Sequence, residues 1–152
     1  MMSLFSVILV VIDQFTKYLT SRYLKPVGNI DLIPKVLSLT YVENRGAAFG
    51  IMQNARWFFI IATAIVLIVF ALYILKAKPK SRLFKISAAL IFAGAAGNLI
   101  DRVAFGFVVD MIRVHFFDFP VFNFADCCVV IGTALLAVYI LFYDSNSPKG
   151  MK

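Results

Sequence analysis

The sequence predicts an all-α membrane protein with a small β element: four transmembrane helices and a small extracytoplasmic sheet. Of its 152 residues, 62% are hydrophobic, and the mean hydropathy is +0.90. A soluble domain of this length has too much surface for its volume to bury so many apolar side chains. Lipid must therefore solvate much of the chain.

Four apolar stretches account for the predicted helices. A membrane helix needs about 20 mostly apolar residues, and the stretches that qualify are 4–24, 57–75, 83–100 and 126–143. The first resembles a signal peptide, but it lacks a basic start and a small-residue cleavage site, and it continues into Asp13 and Lys17. We expect one integral membrane domain over 1–152.

The basic residues predict the orientation. Five cations without an intervening acid lie between the second and third apolar stretches: Lys76, Lys78, Lys80, Arg82 and Lys85. Such a cluster is typical of a cytoplasmic loop. The segment 22–56 also has five basic residues, but they are spread out and mixed with Asp31 and Glu43. With an even number of spans, both termini are predicted to be cytoplasmic, and 25–56 and 101–125 to lie outside.

The two outer segments differ in pattern. Residues 36–42 read VLSLTYV after Pro34, and β-branched and aromatic residues after a breaker favour a strand. Residues 103–124 mix Phe, Val and Met with polar groups, which predicts a segment lying at the membrane interface. Those polar groups are Asp110, Arg113, His115 and Asp118.

The chain has few of the residues that several other function classes require. The net charge of +7 could suggest nucleic acid, but the cations are not interleaved with solvated polar segments, so no nucleic-acid partner is expected. Cys127 and Cys128 are adjacent and are interpreted as small helix residues. His115 is the single histidine, which argues against a zinc site or a Ser-His-Asp triad. We expect neither a metal ion nor a cofactor.

Four aspartates are predicted to reach one depth in the outer half of the bilayer. With a rise of about 1.5 Å per residue, Asp13 lies roughly 17 Å into a core about 30 Å thick. Asp101 follows the third helix, Asp126 begins the fourth, and Asp110 lies in the connection between them. An ionised carboxylate at membrane depth costs about 2.5 kcal/mol or more. The coincidence predicts a functional site, with two cations beside it, Lys17 and Arg102.

Each of these residues also has a structural interpretation. Asp126 could be the N-cap of the last helix. Asp13 and Lys17 could form an ordinary pair four residues apart on one helix. Another set, three and four residues apart, could be a helix-end network without chemistry: Asn98, Asp101 and Arg102. The shared depth is what favours function over these alternatives.

The residue types favour water activated by carboxylates over other nucleophiles. Two neighbouring aspartates cannot both ionise cheaply, so one keeps a proton and the other acts as a base. Such a pair can activate water and protonate a leaving amine. A transporter or proton channel is the main alternative, but it needs acids along the whole depth, and the interiors of the second and fourth helices have none. A purely structural subunit would leave the acids unexplained.

Five motifs in order resemble those of the bacterial lipoprotein signal peptidases, also called type II signal peptidases. They are DQFTK at 13–17, NRGAAFG at 44–50, GNLIDR at 97–102, VVD at 108–110 and FNFAD at 122–126. The resemblance covers nearly the whole chain. It implies four membrane helices, a small extracytoplasmic sheet and an interfacial helix, in a multi-pass protein of the bacterial inner membrane with its site on the extracytoplasmic face.

The resemblance also implies an activity. Such proteins are aspartic endopeptidases that remove the signal peptide of a prolipoprotein, just before a cysteine that carries diacylglycerol. The implied catalytic pair is Asp110 and Asp126. The implied substrate-binding or supporting residues are Asp13, Lys17, Asn44, Asn98, Asp101, Arg102 and Asn123. The implied partners are the diacylglyceryl-prolipoprotein, membrane lipids and globomycin-type inhibitors. Departures from the family pattern are small: Met111 stands where Phe is usual, and Cys127 and Cys128 follow the second aspartate.

Overall fold

The computed structural model describes residues 2–47, 51–116 and 119–144. Part of the NRGAAFG motif (48–50) and Asp118 lie outside these residues. The helices are α1 (Met2–Leu19), α2 (Arg56–Ala77), α3 (Arg82–Ala104) and α4 (Phe124–Tyr139), and the strands are β1 (Asn29–Ile33), β2 (Leu37–Asn44) and β3 (Val108–Val114). Two π-helical turns, Thr20–Leu24 and Ile140–Asp144, extend α1 and α4. The four predicted helices are confirmed, since each is long and apolar enough to cross a membrane.

Helix α3 occupies the centre of the bundle and packs against α1, α2 and α4. Small residues let the helices approach closely: Ala93, Gly94 and Gly97 of α3 are all buried. A Cβ added to Gly94 would meet the carbonyl oxygen of Ala125 in α4. In lipid, where apolar association gains little from the hydrophobic effect, this close backbone contact is a main source of helix–helix attraction.

Helix α2 lies on the outside of the bundle. None of its side chains is buried, and its most apolar window has a mean hydropathy of 3.0. An apolar helix without a polar face needs lipid around it. The exposed Ile61, Ile65 and Leu72 of α2 therefore face the bilayer.

The three strands form one antiparallel sheet in the order β1-β2-β3. Strand β2 contains most of the predicted strand 36–42, so the small sheet is confirmed. Val109 and Met111, on one face of the sheet, pack with Leu24 in a small apolar core. The sheet lies at the end of the bundle where α3 finishes and α4 starts, opposite the five-cation loop.

An irregularity in β2 changes which residues share a face with β3. Leu39 pairs with Ile112, but the next pair is Val42 with Asp110, so β2 holds one extra residue between them. A shift by one residue moves a side chain to the other face of a sheet. The bulge therefore places Asn44 on the same face as Asp110.

The second outer segment differs from the expected interfacial helix. Between α3 and α4, the described residues form β3 and a single bridge from Ile112 to Phe122, and no helix. Val108–Val114 reads VVDMIRV, which is rich in β-branched residues and suits a strand. The backbone N–H and C=O groups along one edge of β2 form hydrogen bonds with β3. An interfacial helix in place of β3 would have left these groups without partners.

Candidate active site

A cavity of about 640 Å³ lies beneath the sheet, between the ends of α2, α3 and α4. Asp110 and Asp126 both line it. The other polar side chains on its wall include Asn44, Asn98 and Arg102, and its apolar wall includes Ala95, Val129, Val130 and Ile131. The cavity is thus polar near the sheet and apolar along the helices. A cavity of this kind suits a substrate with one polar group on an apolar body.

Asp110 is held in the cavity wall by β3 and is only 2% exposed. Its Oδ2 accepts a hydrogen bond from Asn44 Nδ2 at 2.9 Å, and its Oδ1 accepts one from Asn123 Nδ2 at 2.6 Å. Burial raises the pKa of Asp110 to about 6, although the hydrogen bond from Asn44 acts to lower it. The Asp110 carboxyl therefore keeps its proton to a higher pH than an exposed aspartate does.

Asp126 is fixed by the start of α4. Its Oδ1 accepts from Asn98 Nδ2 at 2.7 Å, and its Oδ2 accepts from the backbone N–H of Asn123 at 3.0 Å. The Asn123 side chain in turn accepts from the Asp126 backbone N–H at 2.9 Å, which completes a capping box. The N-cap is thus Asn123, and the structural interpretation of Asp126 as the N-cap does not hold. Asp126 is the third residue of a helix that starts at Phe124.

Asn123 connects the two carboxylates. It is completely buried, and its Nδ2 donates to Asp110 Oδ1 and, at 3.2 Å, to Asn98 Oδ1. Asn98 donates in turn to Asp126. One side chain thus touches the first acid directly, caps the helix that carries the second, and links both through Asn98. The structure brings the two aspartates predicted to form a pair to one cavity.

Hydrogen bonds to their oxygens fix the orientation of the Asn98 and Asn44 side-chain amides. Asn98 Oδ1 accepts from Lys17 Nζ at 2.9 Å, and Asn44 Oδ1 accepts from the backbone N–H of Gly46 at 3.0 Å. Because a carboxamide has one acceptor oxygen and one donor NH₂ group, fixing the oxygen directs the NH₂ group to the opposite side. In both residues that side holds a carboxylate, Asp126 or Asp110.

Asp13, Lys17 and Asp101 form a buried charged cluster behind the cavity wall. Lys17 Nζ lies 2.9 Å from Asp13 Oδ2 and 3.1 Å from Asp101 Oδ2, and these side chains are at most 4% exposed. The predicted pair within the first helix exists, but Lys17 also reaches Asp101 on α3. Asp101 lies inside α3, which continues to Ala104, and not beyond its end. None of the three is among the side chains that line the cavity.

Arg102 does line the cavity. Its Nη2 donates to the carbonyl oxygen of Gly46 at 3.2 Å, and its guanidinium lies 4.9 Å from the centre of the Phe59 ring. Arg56 supports the end of α3 that carries Arg102, since its Nε donates to the carbonyl oxygen of Arg102 at 2.8 Å. The contacts of Arg102 with Gly46 and with the Phe59 ring hold its positive charge on the cavity wall that also carries Asp110 and Asp126.

A Ser-His pair was not expected from the sequence, yet the structure contains one. Ser38 Oγ lies 2.9 Å from His115 Nε2, between β2 and the end of β3. Ser38 is completely buried, and neither residue is on the cavity wall. A nucleophile must be open to its substrate. We therefore interpret this pair as a structural contact that joins the sheet.

Sequence reasoning missed several residues of the site. Gln14 Nε2 donates to Asp101 Oδ1 at 3.0 Å and to Asp13 Oδ2 at 3.2 Å. A glutamine next to an aspartate inside an apolar helix was the available signal, since such residues are expensive in a membrane. Gly46 and Cys127 also contribute to the cavity wall. Gly46 lies within the NRGAAFG motif and Cys127 follows Asp126 directly, but neither was predicted to belong to the site.

The carboxylate oxygens of the four aspartates already have partners. Each accepts from an amide, a backbone N–H or the Lys17 ammonium, as described above for Asp110 and Asp126. The same is true of Asp13, whose Oδ1 accepts from the Ala125 N–H, and of Asp101, whose Oδ2 accepts from the Val109 N–H as well as pairing with Lys17. Among the described residues, no group of three or more His, Cys, Asp or Glu side chains could hold a metal ion.

Residues 5–142 match the family model described as signal peptidase (SPase) II. The chain belongs to the signal peptidase II family. It is 48% identical over 133 residues to a lipoprotein signal peptidase of Caldanaerobacter subterraneus subsp. tengcongensis, covering 88% of this chain and 90% of that one. It is 46% identical over 141 residues to one of Clostridioides difficile, covering 93% and 95%.

Solved structures agree with this assignment. A structure described as a bacterial membrane enzyme has a TM-score of 0.88 to this chain, with 36% identity, and the match covers 99% of this chain and 94% of the other. The protein is therefore a membrane-embedded peptidase of lipoprotein processing. A peptidase hydrolyses its substrate at a catalytic site. Family membership therefore rules out the two alternative functions, a transporter and a purely structural subunit.

Proposed function

We propose that this protein is an aspartic endopeptidase that removes the signal peptide from diacylglyceryl-modified prolipoproteins. It cleaves on the N-terminal side of the lipidated cysteine, with water activated by Asp110 and Asp126. The single observation that carries the proposal is that the two carboxyl groups line one cavity and are linked by Asn123. The family to which the chain belongs supports the class of substrate.

The two carboxyls would share one proton during the reaction. The ionised carboxylate takes a proton from water as the water oxygen adds to the scissile carbonyl carbon. The protonated carboxyl then gives its proton to the amide nitrogen, and the C–N bond breaks. The products are the carboxylic acid of the signal peptide, which then loses its proton to solvent, and the free amine of the lipidated cysteine. The pair again holds one proton, so the next cycle can begin.

Neighbouring residues have distinct roles in this scheme. Asn44, Asn98 and Asn123 hold the carboxylates by donating to their oxygens. Arg102 places a positive charge on the cavity wall, where negative charge develops on the carbonyl oxygen. Globomycin-type inhibitors would occupy the same cavity and exclude the substrate.

The cavity position suits a substrate that stays in the membrane. Its apolar wall is formed by residues of α4 such as Val129 and Val130, and the lipid-facing α2 lies beside it. The diacylglyceryl chains and the signal helix could remain in lipid while the scissile bond reaches the polar end. The five-cation loop at the opposite end of the bundle favours cytoplasmic termini and an extracytoplasmic site in the bacterial inner membrane.

A cleavage assay tests the substrate assignment. Purified protein in detergent is incubated with one prolipoprotein in two forms, with and without the diacylglyceryl group, and the products are measured by mass spectrometry. We expect cleavage of the modified form only, with the new amine on the lipidated cysteine. Equal cleavage of the unmodified form, or cleavage at another bond, would contradict the proposal.

The pH dependence of catalysis provides a prediction with a definite sign. Because burial raises the pKa of Asp110 to about 6, the profile of kcat/KM should be bell-shaped, with one limb within about one unit of pH 6. Asn44 donates to Asp110 and favours its charged form. Asn44→Ala should therefore raise the pKa of Asp110 and move this limb to higher pH.

The matched control for this experiment is Asn29→Ala. Asn29 is an exposed asparagine of β1, and its Nδ2 donates to Asp31 and not to the cavity. The control should leave the limb where it is in the wild type. A limb that stays fixed or moves to lower pH in Asn44→Ala would show that Asp110 does not govern it.

A further inference from the structure

Each acid of the buried charged cluster holds the chain immediately before one carboxylate of the pair. Asp13 Oδ1 accepts from the backbone N–H of Ala125 at 3.0 Å, and Ala125 precedes Asp126. In the same way, Asp101 Oδ2 accepts from the backbone N–H of Val109 at 3.0 Å.

Lys17 joins the two halves of this arrangement. Its ammonium lies between Asp13 Oδ2 and Asp101 Oδ2, at 2.9 and 3.1 Å. The start of α4 and the β3 strand are thus fixed to each other through two hydrogen bonds and two ion pairs. Lys17 also donates to Asn98 Oδ1, which directs the Asn98 NH₂ group to Asp126.

Burial restricts the cluster to arrangements in which every charge has a partner. Asp13 and Asp101 are each 1% exposed and Lys17 is 3% exposed. Charges taken out of water are tolerated only when their partners and geometry are good, and removing one partner leaves another charge uncompensated. Gln14 completes the contacts by donating to both acids. Few other arrangements of these side chains would satisfy the same groups.

We propose that Asp13, Lys17 and Asp101 are positioning residues that set the separation and direction of the Asp110 and Asp126 carboxyl groups. We call this buried charged cluster the charged clamp. None of the three lines the cavity, so we do not expect them to contact the substrate. The proposal rests on the proposed function, because it concerns the same pair of carboxyls. It predicts a loss of turnover without a loss of substrate binding.

Gly97 offers a way to displace the clamp without changing its charge. A Cβ added at this position would meet Asp13 Oδ2, and it would lie 3.0 Å from Asp13 Cγ. The Asp13 carboxylate would have to move, and its bond to the Ala125 N–H would move with it. Gly97→Ala therefore tests position alone, whereas Lys17→Met removes the central charge.

The experiment measures kcat and KM for cleavage of the diacylglyceryl-modified prolipoprotein, together with the thermal midpoint of each variant. A displacement of about 1 Å can cost roughly 10²-fold in rate. We expect kcat to fall by about 10²-fold in Lys17→Met and by at least about 10-fold in Gly97→Ala, with KM within about twofold of the wild type.

Gly132→Ala is the matched control. Gly132 also lies between α3 and α4, and its added Cβ would be 2.9 Å from atoms of Ile91 and Leu90, away from the clamp. We expect a lower thermal midpoint and an unchanged kcat. If Lys17→Met does not fold, Gly97→Ala decides the result.

A folded Lys17→Met or Gly97→Ala variant with kcat within twofold of the wild type would contradict the positioning role of the clamp. So would a rise in KM alone, since that would place these residues in substrate binding. Asp110→Asn and Asp126→Asn in the same assay separate the two proposals. If those variants still turn over, the proposed mechanism fails; if they are inactive while Lys17→Met keeps its kcat, only the clamp fails.

Discussion

Asp110→Asn and Asp126→Asn are each expected to abolish turnover of a diacylglyceryl-modified prolipoprotein. Neither amide can take a proton from water or supply one to the leaving nitrogen, so kcat should fall by about 10³-fold or more. Asparagine has nearly the shape of aspartate and keeps one of its two acceptor oxygens. Each variant should therefore still fold, and the measurement is single-turnover cleavage at equal concentrations of folded protein.

Asp31→Asn is the matched control for these two variants. Asp31 is an exposed aspartate of β1, and its contact is with the neighbouring Asn29. The same change of charge there should leave kcat and KM unchanged. Full turnover by either Asp110→Asn or Asp126→Asn would remove that residue from the catalytic pair.

Asn123→Ala is expected to have the second largest effect. The change removes the donor to Asp110, the donor to Asn98 and the acceptor for the Asp126 N–H. Both carboxyl groups lose their orientation, so kcat should fall by about 10²-fold. Loss of the helix cap should also cost about 1 kcal/mol of stability. The measurements are kcat for the same substrate and the thermal midpoint.

Ser81→Ala separates the two consequences of that substitution. Ser81 is the N-cap of α3, and its side chain accepts from the Phe84 N–H at 3.4 Å, at the opposite end of the bundle. Its removal should lower the thermal midpoint by a comparable or smaller amount while leaving kcat unchanged. If Asn123→Ala lowers only the midpoint, as Ser81→Ala should, then Asn123 acts as a cap alone.

The helices could be predicted from the sequence because membrane insertion depends on local composition. About 20 apolar residues in succession suffice to indicate a span, and the four predicted stretches fall within α1 to α4 and the turns that extend α1 and α4. Strand β3 could not be separated from an interfacial segment, because its VVDMIRV pattern suits either. Its hydrogen-bond partner is β2, more than 60 residues away in the chain.

The helix rise per residue predicts that the aspartates reach one level, but it does not tell which of them line the cavity. Asp110 and Asp126 line the cavity, whereas Asp13 and Asp101 lie behind its wall. The difference depends on which direction each side chain takes from its helix or strand. That direction is set by neighbours from other elements, which a single stretch of sequence does not specify.

The sequence by itself determined the membrane spans, the presence of a sheet and the set of polar residues that meet near one end of the bundle. Only the tertiary structure decided which of them touch. The clearest case is the bulge in β2: with regular pairing, Asp110 would lie opposite Tyr41, and Asn44 would point to the other face. One extra residue between Leu39 and Val42 brings the Asn44 amide to the Asp110 carboxylate. Such a contact depends on the register of two distant strands, and register is fixed by packing and not by local composition.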